Sequence, residues 1–298
     1  MYPSIARLLI AATVLTISCN ALAEENAAKK HSESGTEKVD PKKFPKLSKI
    51  GYTNNQQLPG MPWRIHDRNR PRPDAVQPGS VFRGGAADSK DPNYFSTAPS
   101  DAIVLFDGTN MKQWSHHKGD DLYPAAWNLN DGYMEVKRGA GSVHTIESFD
   151  SVQLHLQFQT PPVKGSSQGR GNSGIKFYGL YEVQVLDSFN NPTYADGQAG
   201  AIYGQHPPLV NPSLPSQQWQ TYDIIFNAPK FDLEGTLRRP ASMTVLHNGV
   251  VVQNQTQLIG ICRAGRVLDY PAHSPSGHIM LQDHGNPIRY RDIWVRRL

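Results

Sequence analysis

Val152-Gln153-Leu154-His155-Leu156-Gln157-Phe158-Gln159 alternates apolar and polar residues without a break. Successive side chains on a strand point to opposite faces, so Val, Leu, Leu and Phe share one side and Gln, His, Gln and Gln the other. A helix of about 3.6 residues per turn cannot sort this octet into two faces. The segment reads as a strand with one face on a core. Shorter runs on its C-terminal side repeat the pattern, at 175–177, 181–185, 221–226, 243–246, 250–253, 279–282 and 293–295. His247-Asn248-Gly249-Val250 joins two of them through Asn-Gly, the dipeptide best suited to a tight hairpin. No stretch shows helical periodicity. The fold class is all-β: a jelly-roll β-sandwich of two antiparallel sheets.

Composition agrees. Among 298 residues there are 25 Gly and 23 Pro, with 38% hydrophobic and 19% charged residues. This argues against a long coiled coil, which needs Ala, Glu, Lys and Leu at helical spacing. It also argues against a wholly disordered chain, because the apolar fraction can build a core. A net charge of +4 is thinly spread and makes no nucleic-acid surface.

The chain divides into four parts. Residues 1–23 read as a secretory signal peptide: Arg7, an apolar run from Leu8 to Ile17, then Ala21-Leu22-Ala23 as the cleavage site. The apolar run is too short to span a bilayer, so no transmembrane segment is expected, and the protein is expected to be exported to the periplasm or beyond. Cys19 offers a lesser alternative, lipid anchoring; otherwise cleavage leaves Cys262 alone, with no internal disulfide. Residues 24–50 are rich in Lys and Glu and read as a disordered linker. Residues 51–100 form a proline-rich extended arm packed on the core, with Trp63 as its expected anchor and Arg64, Arg68, Arg70 and Arg72 as a solvated face. The jelly roll occupies 101–298.

Three runs are odd for a plain sandwich. Gly169-Arg170-Gly171-Asn172-Ser173-Gly174 spells a dinucleotide fingerprint but enters a strand rather than a helix, so it reads as a tight loop that turns Asn172 towards a ligand. In Glu182-Val183-Gln184-Val185-Leu186-Asp187, Glu182 and Gln184 share a strand face, and one bulge would add Asp187. Laminarinase-type glucanases carry a similar run of acids, which this chain matches only in part; the plain alternative is that Glu182 and Gln184 face water. In His278-Ile279-Met280-Leu281-Gln282-Asp283-His284, even spacing puts His278, Gln282 and His284 on one face. His278 and His284 lack a third metal ligand, so no metal is expected. No cofactor is expected either, since Asp187, Asp196 and Asp223 lack calcium-loop spacing. His144 and His155 are further candidates for the same face.

Together these residues resemble a known family. Leu105-Phe106-Asp107-Gly108 through Trp114, Gly171-Asn172-Ser173-Gly174-Ile175, Tyr181-Glu182-Val183-Gln184-Val185-Leu186-Asp187 and Leu281-Gln282-Asp283-His284-Gly285 are similar, in order, to the motifs of the 3-keto-disaccharide hydrolase domain family. Gly200-Ala201-Ile202-Tyr203, Trp219-Gln220-Thr221-Tyr222 and Arg289-Tyr290-Arg291-Asp292-Ile293 fit as well. Met111, Tyr290 and Asp292 are mild departures. The resemblance implies a concanavalin-like sandwich that hydrolyses glycosides oxidised to a ketone at C3. The chemistry of that reaction, removal of a C2 proton made acidic by the ketone, suits Glu182 as general base and His284 as acid or enolate donor. Asn172, Gln184, Asp187, Gln282 and Asp283 would hold an oligosaccharide or glycoside substrate, with Arg289 a weaker candidate. The alternatives are a lectin-like binding module and a conventional laminarinase-type glycosidase.

Overall fold

The computed structural model describes residues 50–76, 96–119, 121–130, 132–263 and 265–298. The expected signal peptide at 1–23, nearly all of the linker and residues 77–95 of the arm lie outside them. In chain order the strands are β1 (Ile103–Phe106), β2 (Trp114–Lys118), β3 (Asp121–Pro124), β4 (Asn128–Asn130), β5 (Tyr133–Glu135) and β6 (Val143–Thr145). Next come β7 (Val152–Gln159), β8 (Ser173–Phe177), β9 (Tyr181–Val185), β10 (Trp219–Asn227), β11 (Lys230–Phe231) and β12 (Leu237–Arg239). The last six are β13 (Ser242–His247), β14 (Val250–Gln257), β15 (Ile261–Arg263), β16 (Arg266–Leu268), β17 (Ile279–Leu281) and β18 (Arg289–Arg297). Among the described residues there is no α-helix, only two 3-10 turns.

An eight-stranded sheet runs β14-β13-β10-β7-β18-β5-β4, with β1 also paired to β18; a six-stranded sheet runs β3-β2-β6-β17-β8-β9. All of these pairings are antiparallel. Strands distant in sequence become neighbours, β7 beside β18 and β6 beside β17, as the chain passes back and forth between sheets. This is the jelly-roll sandwich. Its core interleaves Leu154, Leu156, Phe158 and Tyr222 of the larger sheet with Ile175, Val183, Ile279 and Leu281 of the smaller. Phe177 and Phe226 stack across the two sheets with centroids 4.4 Å apart. Each such side chain contributes about 1.5–3 kcal/mol through burial.

The octet at 152–159 is β7, in the middle of the larger sheet. Asn248 and Gly249 both take positive φ, 52° and 77°, as the tight hairpin between β13 and β14 requires. Most of the polar face of β7 does not meet water, however: His155, Gln157 and Gln159 are all buried, and Gln153 is half-buried. A bulge in β18 between Arg291 and Trp294 turns Asp292 (φ 51°) outward over them. Asp292 there accepts hydrogen bonds from Gln157 Nε2 at 2.8 Å and from the Ser96 amide at 2.6 Å. Trp294 stacks on His155.

Residues 50–76 cross the core beside the 200–206 segment. Leu58 and Ile65, both fully buried with Val267, anchor this arm, while Trp63, the expected anchor, is half-buried. Its arginines do not form a solvated face. Arg70 is buried and donates to the Gln205 carbonyl at 2.9 Å, and Arg72 donates to the Thr193 carbonyl at 3.0 Å. A guanidinium carries several donors in a fixed fork, and here the fork closes loop carbonyls that lie away from any strand.

Candidate active site on the outer face of the smaller sheet

Tyr181, Val183 and Val185 face the core, so Glu182 and Gln184 face outward on the edge strand β9. The β8–β9 ladder runs unbroken from Ser173↔Val185 to Phe177↔Tyr181, which sets Lys176 opposite Glu182. Lys176 Nζ lies 3.0 Å from Glu182 Oε2. A Cβ on Gly174 would stand 2.3 Å from Glu182 Oε1 and 3.3 Å from Gln282 Oε1, so glycine makes room for both side chains. Burial pushes the Glu182 carboxyl up; the charge and hydrogen bond of Lys176 oppose this, followed by the charges of His284 and His66. The result is a desolvated carboxylate beside an ammonium, next to two amide side chains.

Gln184 is buried and donates to Asn172 Oδ1 at 3.1 Å, while Asn172 donates to the Gln168 carbonyl at 2.8 Å. The glycine-rich loop thus enters β8 as expected and places Asn172 against Gln184. Gln282 extends the β17–β8 ladder, its amide donating to the Gly174 carbonyl at 2.9 Å. His284 is exposed in the loop after β17. The structure therefore brings Glu182, Gln184, Gln282, Asn172 and His284 into one region.

Three other candidates have different partners. The bulge that would bring Asp187 onto this face is absent, because β9 ends at Val185 without a register shift. Asp187 is buried and takes a hydrogen bond from Arg170 Nε at 2.7 Å, which ties the loop end together. Asp283 accepts from the amides of Gly139, Gly141 and Gly285 at 2.8, 3.1 and 2.8 Å, a staple between loops. Arg289 lies on the larger sheet, bound to Glu135 at 2.7 Å and Gln159 at 3.0 Å. His155 also belongs to the larger sheet, whereas His144 on β6 shares the sheet of Glu182.

Sequence reasoning missed Lys176, although counting back across the Tyr178-Gly179-Leu180 turn pairs it with Glu182. It also missed His117, which joins the candidates His144 and His278. His117 stacks on His144 with centroids 4.3 Å apart and meets His278 edge-on at 4.7 Å. These three border a hollow of about 300 Å³ with Tyr178 and His273. Among the described residues, no group of three or more His, Cys, Asp or Glu is arranged to hold a metal ion. Nor is any helix there long and apolar enough to cross a membrane.

The smaller sheet thus presents on its outer face a mostly covered carboxylate beside amide side chains, groups able to hydrogen-bond hydroxyls. Residues 101–296 match the 3-keto-alpha-glucoside-1,2-lyase-like domain, and the chain belongs to that family. Over 235 residues it is 24% identical to the 3-keto-disaccharide hydrolase of Bacteroides thetaiotaomicron, covering 66% of this chain and 78% of that one. A Parabacteroides distasonis protein, its crystal structure described as that of a candidate glycosyl hydrolase, is 39% identical with a TM-score of 0.64. That match covers 84% of this chain and 99% of the other.

Proposed function

We propose that this chain cleaves glycosides that carry a ketone at C3, by eliminating the C1 substituent and hydrating the product. A C3 ketone acidifies the C2 proton, which a positioned carboxylate can remove. Glu182 is the base. As it takes the C2 proton, electrons move into a C1–C2 double bond, the C1–O bond breaks, and the leaving oxygen takes a proton from a neighbouring acid, for which His284 is the sequence-based candidate. Water then adds its oxygen to C1 while C2 regains a proton from Glu182. The family's description as a 1,2-lyase-like domain supports a reaction across those two carbons.

The observation that carries this reading is the setting of Glu182. Burial raises the proton affinity of its carboxyl, and Lys176 at 3.0 Å favours the ionised form. A base poised in this way removes a carbon acid's proton more effectively than an exposed carboxylate. Gln184, Asn172 and Gln282 supply donors and acceptors for sugar hydroxyls. Replacing Glu182 with Gln keeps size and removes the base, so turnover of a 3-keto-disaccharide is expected to fall by about 10²–10⁴-fold. Near-normal turnover would remove Glu182 from this role. Export belongs to the same reading, and N-terminal sequencing of the secreted protein is expected to begin at Glu24.

A further inference from the structure

The arm reaches the site. His66 is buried, and Asp196 holds it twice: Oδ2 accepts from the His66 amide at 2.9 Å and Oδ1 lies 3.1 Å from its ring Nδ1. Arg70 Nη1 lies 3.7 Å from Asp196 Oδ2, so the carboxylate is shared between the imidazole and the guanidinium. Tyr194 and Tyr203 flank the imidazole with centroids 4.1 and 5.0 Å away. Tyr203 in turn donates its amide to the Glu182 carbonyl at 3.1 Å. The chain from His66 through Tyr203 therefore ends on the main chain of the proposed base.

The backbone at His66 is in the left-handed region, with φ 55°. A non-glycine residue there is strained, and such strain is often carried at functional sites. A hydrophobic anchor needs none of this: Leu58 and Ile65 already hold the arm. Nor does a merely structural histidine need a carboxylate on its Nδ1. That contact orients the ring with Nδ1 on Asp196 and leaves Nε2 outside it. His284, by contrast, is exposed.

We propose that His66 is a catalytic residue supplied by the arm, from outside the family domain at 101–296. It acts as the acid that protonates the leaving oxygen and then as the base that activates water. This rests on the elimination reading above. In the first step Glu182 gains the C2 proton and His66 Nε2 gives one to the departing C1 oxygen. In the second, neutral Nε2 takes a proton from the attacking water, and Glu182 returns its own to C2. Both groups end as they began, with one water consumed. The charge of His66 already favours the ionised form of Glu182, as do those of Lys176 and His284. The groups facing His66 are Asp196, Arg70, Tyr194, Tyr203 and Tyr52.

The test compares the full chain with His66→Gln and with His66→Ala, each with and without added imidazole, on a 3-keto-disaccharide across pH. The expected result is a loss in kcat of about 10²-fold or more for both, little change in KM, loss of the alkaline limb of the pH profile, and partial rescue of the Ala variant by imidazole. A folded His66→Gln that keeps wild-type kcat and pH profile overturns the inference and leaves only an arm anchor. If neither variant folds, Asp196→Asn, which keeps an acceptor oxygen, is expected to lower kcat with the same change in pH profile; an unchanged profile there overturns the inference too. Wild-type inactivity on the 3-keto substrate sinks the reaction itself and this inference with it, whereas turnover indifferent to His66 sinks this inference alone.

Discussion

The Glu182 carboxylate lies 3.0 Å from Lys176 Nζ, its cross-strand partner on the outer face of the smaller sheet. Desolvation pushes the carboxyl up, and the ammonium is the first influence that opposes it. A general base works ionised, so activity rises with pH through the pKa of Glu182. Lys176→Met leaves the desolvation unopposed by that charge. The acid limb of the kcat/KM profile is expected to move to higher pH, since the neighbouring ammonium favours the ionised carboxyl. An acid limb that stays in place would separate Glu182 from proton abstraction.

Gly174→Ala tests the space beside the base. An added Cβ meets Glu182 Oε1 at 2.3 Å, and φ at this glycine lies outside the left-handed region, so the backbone accepts alanine. The carboxylate must swing away. A displacement near 1 Å costs about 10²-fold in rate, and that loss is expected here in kcat with the melting temperature little changed. Unaltered kinetics in a folded Gly174→Ala protein would place the reacting atoms elsewhere.

Histidines of the two sheets respond to pH in opposite directions. Desolvation, then the neighbouring charges of His117, His278 and His116, pushes His144 down to about 4. Its neutral form favours the fold, so that stability is present above about 6.5 and is lost as pH falls towards 4. Desolvation also lowers His155, but hydrogen bonds and charges from Asp223 and Asp292 outweigh it and raise the net value. Its contribution is full below about 6.5 and is lost as pH rises through the elevated value. Melting curves from pH 4 to 9 are expected to show less acid sensitivity in His144→Gln. His155→Gln is expected to cost more stability at pH 6 than at pH 9. Parallel curves for wild type and variants would show that neither imidazole is coupled to folding.

Much of the fold was legible because strand alternation is a local property. The octet at 152–159 and the Asn248-Gly249 turn each carry their structure in adjacent residues. The strands from 103 to 145 went unread because they are only three to five residues long, and several are polar: β2, for instance, is Trp-Ser-His-His-Lys. The site was legible where it follows a strand's period, as for Glu182 and Gln184. It was obscured where loops decide, since Asp187 and Asp283 are taken up by Arg170 and by glycine amides that no spacing rule reveals. Nor does sequence tell the polar faces of two sheets apart. Gln157 and Gln159 lie on the larger sheet, away from Gln184 and Gln282, although all four look alike as alternating amides. His66 lies more than a hundred residues before Glu182, and only the packing of the arm joins them.

The most direct measurement is a paired assay of the wild-type protein on a 3-keto-disaccharide and on its unoxidised parent. Without the ketone the C2 proton is not acidic, and Glu182 has nothing to remove. The expected result is release of the C1 substituent from the oxidised sugar and none from the parent. Equal cleavage of both would contradict the elimination route and favour an ordinary glycosidase, while binding of the oxidised sugar without any product would favour a lectin-like module.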